Sequence, residues 1–117
     1  MTSWVGFYVY ERRDEMVFES VEINNNTGNF RAVGSDVCGA FVFNGSIQGG
    51  RFEAIKDYNA WVIYYSGQYD AEKLEITGHW GYELGQRLSP FVIAKIPNHK
   101  IADFKRDLLE GRDPFSR

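Results

Sequence analysis

The segment Trp61-Val62-Ile63-Tyr64-Tyr65-Ser66-Gly67-Gln68-Tyr69-Asp70-Ala71-Glu72-Lys73-Leu74-Glu75-Ile76-Thr77-Gly78-His79-Trp80-Gly81-Tyr82 carries two strands and the turn between them. Residues 61–69 are rich in β-branched and aromatic side chains, the types that fit a pleated surface. Asp70-Ala71-Glu72 breaks the run. In residues 73–82, Leu74, Ile76, Gly78 and Trp80 alternate with Glu75, Thr77 and His79. A period of two places those sets on opposite faces of a strand. The apolar set faces a core and the polar set faces water.

The same punctuation extends in both directions. The spacing predicts eight strands, at about 4–11, 16–24, 29–35, 40–47, 51–58, 61–69, 73–82 and 90–96. Charged Arg12-Arg13-Asp14-Glu15 reads as the first turn. Asn25-Asn26-Thr27-Gly28, Asp36 to Gly39 and Gln48-Gly49-Gly50 read as later ones. A repeat of roughly 12 residues suits an all-β barrel or sandwich. No helical stretch interrupts the series, so parallel crossovers have no room. Short turns then make an antiparallel meander, and eight meandering strands can remove their edges by closing. A two-sheet sandwich would share this periodicity. The reading taken is an all-β, eight-stranded antiparallel up-and-down barrel with a short C-terminal helix. Residues 1–97 form the barrel, 98–111 the helix and 112–117 a tail. Asn98 is expected to cap that helix, and Gly111 to stop it.

Composition narrows the function. The chain has 117 residues, with 13 Lys and Arg against 16 Asp and Glu, a net charge of −3. That balance argues against a nucleic-acid partner. Cys38 is the lone cysteine, and His79 and His99 are the two histidines. Neither a disulfide nor a zinc site follows from them, so no metal or cofactor is expected. No basic region followed by an apolar run opens the sequence, and its longest early apolar stretch is too short to cross a bilayer. The expected compartment is the cytoplasm, with no membrane partner. No nucleophile elbow, phosphate loop or dinucleotide fingerprint is present.

Three Trp, seven Tyr and nine Phe stand out, with 12 glycines. Parity sorts many of them onto one face: Trp4, Gly6, Tyr8 and Tyr10; Phe41, Phe43, Gly45 and Ile47; Phe52, Ala54, Lys56 and Tyr58; Ile63, Tyr65 and Gly67; Leu74, Ile76, Gly78 and Trp80; Phe91, Ile93 and Lys95. In the second strand Met16 and Phe18 have one parity and Val21 and Ile23 the other. A bulge near Glu19-Ser20 would reconcile them. Val5, Phe7, Val9 and Val92 fall outside, where neighbouring first and eighth strands would share an apolar patch. The helix stripe Ile101, Phe104 and Leu108 is expected to cover it, or a second subunit in a homodimer.

The pattern resembles the calycin barrels, the lipocalin and avidin group. The shared features are the eight-strand meander, Trp4 near the start of the first strand, and the glycine-punctuated stretches 27–34 and 76–80. The resemblance implies the barrel fold and a ligand cavity, and it transfers no binding residues. The candidate ligand-binding residues are Tyr8, Lys56, Tyr58, Tyr65 and Trp80. Inward phenols can donate hydrogen bonds, Trp80 can stack, and a buried lysine can pair with a carboxylate or act as an amine. Asp36 reads as the cap of its own turn. The expected function is a non-catalytic barrel that binds a small apolar or aromatic ligand in its lumen. One alternative is a filled barrel serving as a protein-interaction or oligomerisation module. The other is a small-molecule isomerase or cyclase using Lys56 and the tyrosines.

Overall fold

The computed structural model describes residues 1–116. Its strands are β1 Thr2–Tyr10, β2 Arg12–Ile23, β3 Asn29–Asp36, β4 Gly39–Gln48, β5 Arg51–Asp57, β6 Val62–Asp70, β7 Glu75–Gly81 and β8 Ser89–Pro97. Each strand pairs antiparallel with the next, and β1 pairs with β8, from Thr2 opposite Pro97 to Tyr8 opposite Phe91. The result is a closed up-and-down barrel and not a sandwich. A 3₁₀ turn, Asn98–Lys100, leads into helix α1, Ile101–Leu109.

The bulge falls where parity required it. The register of β2 on β3 shifts between Phe18 and Ser20. Met16 and Phe18 above the shift, and Val21 and Ile23 below it, therefore all pack on the core. Closure also needs close strand approach. Gly67 and Gly78 are register partners on β6 and β7. A Cβ on Gly67 would lie 1.9 Å from the Thr77 carbonyl oxygen, and one on Gly78 would lie 2.0 Å from that of Ser66. No side chain fits at either position.

Aromatic side chains fill the middle of the lumen. Phe30, Phe41, Phe43, Phe52 and Phe91 are buried with Met16, Ile76 and Ile93. The rings meet edge to face: Phe30 on Phe52 at 5.0 Å, Phe43 on Tyr65 at 4.9 Å, and Tyr65 on Phe91 at 4.7 Å. Such pairs add about 0.5–1.5 kcal/mol each beyond the area they bury.

A second cluster lies outside the barrel. Val5 and Phe7 are buried against Phe104 and Leu108, and Val9, Val92, Ile96, Ile101 and Phe115 pack around them. Helix α1 thus lies over the outer face of β1 and β8. Lys105 pairs with Glu15 at 2.9 Å and ties the helix to β2.

Several local expectations are corrected. Residues 12–15 are strand and not turn, because β1 reverses at Glu11 alone, with φ at 65°. Leu74 does not face the lumen: it sits in the turn before β7 with φ at 53° and is partly exposed. Asn98 does not cap α1, since its side-chain oxygen accepts a hydrogen bond from the Ser3 hydroxyl at 2.6 Å. The expected tail is held in part, with the Phe115 ring 6.1 Å from Phe7 and 5.8 Å from Phe104. Arg117 lies outside the described residues.

Candidate functional site

The barrel opens at the end where the β1–β2, β3–β4 and β5–β6 turns lie. At the open mouth β1 delivers Tyr8 and Tyr10, the β3–β4 turn Val37 and Cys38, and the β5–β6 turn Tyr58 and Trp61. β6 adds Tyr65, β7 adds Trp80, and Tyr82 follows β7. Together with Glu11, Arg12, Asp14 and Ile63 they line a part-open cleft of about 630 Å³. A hollow of about 730 Å³ between α1 and β7–β8 is larger, but half of its wall is charged, including Lys73, Lys95, Lys100, Asp103 and Asp107. The mouth combines apolar walls with a few polar atoms, the usual make-up of a small-molecule site.

The walls are held by the fold. The Trp80 indole N–H donates to the Val9 carbonyl at 3.1 Å, which fixes its ring beside Tyr8, Tyr10 and Tyr82. Trp61 stacks on Tyr58 with ring centroids 4.5 Å apart and stays 44% exposed.

Beneath the cleft lies a buried ion pair. The Lys56 ammonium donates to Asp36 Oδ2 at 2.5 Å, with side-chain exposures of 1% and 0%. The Tyr58 hydroxyl donates to the same oxygen at 2.6 Å, while Asp36 Oδ1 accepts from the Cys38 backbone N–H at 2.8 Å. Rings enclose the ammonium: Tyr8 and Phe41 at 4.5 Å, Tyr58 at 5.0 Å, Tyr65 at 5.5 Å and Phe43 at 5.7 Å. Their faces attract a cation and partly replace its lost hydration.

Burial sets the proton affinities. Desolvation pulls the Lys56 ammonium down to about 8, although the charge and hydrogen bond of Asp36 oppose the shift. Burial pushes the Tyr8, Tyr58 and Tyr65 phenols up, and Asp36 adds to each rise. All three phenols are therefore donors near neutral pH.

Among the sequence-predicted residues, Tyr8, Tyr58, Tyr65 and Trp80 line the cleft. Lys56 lies behind them, not in its wall. Tyr10, which parity also places on the inner face, lines it as well, as do Trp61, Tyr82, Cys38 and Asp14, for which the sequence carries no ligand signal. Asp36 was read as a turn cap, and it is that, but it also anchors Lys56 and Tyr58. Among the described residues, no group of three or more His, Cys, Asp or Glu side chains is placed to hold a metal ion. No described helix is long and apolar enough to cross a membrane. No family model matches the chain, and no curated protein or solved structure matches it.

Proposed function

We propose that this protein is a non-catalytic binding barrel that holds a small planar apolar or aromatic molecule at its open mouth. The observation that carries the reading is the cleft of about 630 Å³ walled by Tyr8, Tyr10, Trp61, Trp80 and Tyr82. Its position refines the expected lumen site, because phenylalanines occupy the barrel's middle. The buried state of Lys56 favours binding over isomerase or cyclase chemistry: its amine is engaged by Asp36 and screened from the cleft by phenols. The interaction-module reading loses its best surface, since α1 and Phe115 of the same chain occupy the outer face of β1 and β8. The likeness to lipocalin and avidin barrels, in general shape, supports the same reading.

The three tryptophans supply the test. Trp61 and Trp80 line the cleft, whereas Trp4 lies six residues before Tyr10 on β1, about 20 Å away. Titration with anilinonaphthalene sulfonate is expected to show one saturable site with energy transfer from tryptophan. Trp61→Ala should weaken binding about 3- to 10-fold, the worth of one ring contact. Trp4→Phe should leave it unchanged. Absence of saturable binding of the dye and of other flat aromatic probes by the folded protein, or equal dye affinity in Trp61→Ala, would overturn the reading.

A further inference from the structure

Two phenols at the floor of the cleft meet sulfur at their hydroxyls. The Tyr65 hydroxyl is directed at the thioether of Met16, with Oη 4.0 Å from Sδ. The Tyr8 hydroxyl lies 3.8 Å from Cys38 Sγ, where either group can donate. Sulfur is a weak acceptor in both cases. Both tyrosines are more than nine-tenths buried, and both line the cleft. Tyr58 differs, because its hydroxyl is committed to the Asp36 carboxylate at 2.6 Å.

The Lys56 ammonium touches both phenols and polarises the Tyr65 hydroxyl. It donates to the Tyr65 oxygen at 3.4 Å, and it faces the Tyr8 ring at 4.5 Å. A hydroxyl that accepts from a cation gives its own proton more readily, since hydrogen bonds in a chain polarise one another. The floor thus holds two protonated hydroxyls beside the buried Lys56–Asp36 ion pair, under walls that suit a flat ring.

We propose that Tyr8 and Tyr65 form an oxygen-acceptor subsite, donating from both hydroxyls to a carbonyl or phenolate oxygen of a planar ligand in the cleft. The proposal rests on the binding reading above and names the ligand class. A planar molecule lies against Trp61 and Trp80 with its oxygen directed inward. The oxygen replaces two sulfur acceptors, so the phenols exchange weak hydrogen bonds for strong ones. Asp36 has no part in the contact, because its carboxylate is sealed behind Tyr58 and Lys56.

Displacement of anilinonaphthalene sulfonate by three probes tests it: naphthalene, 2-acetylnaphthalene and 4-nitrophenolate. Two hydrogen bonds predict that at least one oxygen-bearing probe binds about tenfold or more tighter than naphthalene. Tyr8→Phe and Tyr65→Phe should each lose several-fold of that preference, weakening the oxygen-bearing probes more than naphthalene. Preference for 4-nitrophenolate assigns the site to anionic oxygens, and preference for 2-acetylnaphthalene assigns it to carbonyls. If all three probes bind alike, or the preference persists in the Tyr8→Phe, Tyr65→Phe double variant, the subsite is refuted and the cleft reading stands. If the dye does not bind and, by calorimetry, no probe binds, both fall. The wild-type comparison decides the matter even if a variant fails to fold, which near-ultraviolet circular dichroism would report.

Discussion

A lysine and an aspartate with nearly no water contact carry opposing costs. Removing one partner of such a pair costs about 3–5 kcal/mol, because the other charge remains buried. The pair also fixes how stability varies with pH. In the folded chain Lys56 gives up its proton near 8, while an unfolded lysine keeps it to 10.5. Between those values the unfolded state holds more protons, so stability rises with pH, by at most about 1.4 kcal/mol per unit. The buried phenols act in the opposite sense above about pH 10. Folded Tyr8, Tyr58 and Tyr65 keep protons that unfolded tyrosines lose, and stability falls. Urea unfolding of the wild type and Lys56→Met from pH 8 to 10 is therefore expected to diverge by about 2 kcal/mol. Parallel curves would mean that Lys56 is not held down by burial. The lysine itself was legible as an inward charge on an apolar strand face. Its partner was not, because the local signal at Asp36 is complete without it: one oxygen already caps the N–H of Cys38. The other oxygen reaches a residue 20 positions away, and only the lateral order of β3, β4 and β5 makes that contact.

Strands were legible wherever one face is apolar and the other polar, as in β7, and where both parities are apolar around a shift, as in β2. Their ends were lost at Glu11 and Leu74. Both adopt the left-handed region without being glycine, and neither residue type announces it. The helix was legible from its stripe of Ile101, Phe104 and Leu108. Its start was not, since Asn98 spends its side chain on Ser3 of β1, a partner 95 residues earlier. The helix has nine residues, too few to persist alone in water, so its burial holds it in place. Phe104 is the most buried of its side chains. Phe104→Ala should cost about 3–5 kcal/mol in urea unfolding. It should also uncover Val5 and Phe7 and promote self-association, which sedimentation velocity would detect. A loss below about 1 kcal/mol would show that the outer cluster is not what holds α1.

The barrel as a whole divides labour along its axis. Eight closed strands leave no free edge, and the edge-to-face phenylalanines make the middle of the lumen a solid support. The mouth is different: its outer rings Tyr10, Trp61 and Tyr82 are near half exposed, its turns carry Val37, Trp61 and Tyr82, and its polar groups face a cleft. Stability and binding should then respond to different substitutions. Phe52 is fully buried and touches Phe30 and Phe91. It lies four residues before Lys56 on β5, about 13 Å deeper in the barrel. Phe52→Ala should lower stability by about 3–5 kcal/mol through the cavity it leaves. Dye affinity should stay within about twofold, because the mouth rings keep their own supports in Trp80–Val9 and Tyr58–Asp36. Trp61→Ala should do the reverse, shifting stability by less than about 1 kcal/mol for a side chain already near half exposed, while weakening the dye several-fold. Paired urea unfolding and dye titration of the two variants separate the outcomes. If Phe52→Ala weakens binding as much as Trp61→Ala does, the filled lumen and the open mouth are one cooperative unit, and the division of labour along the axis is wrong.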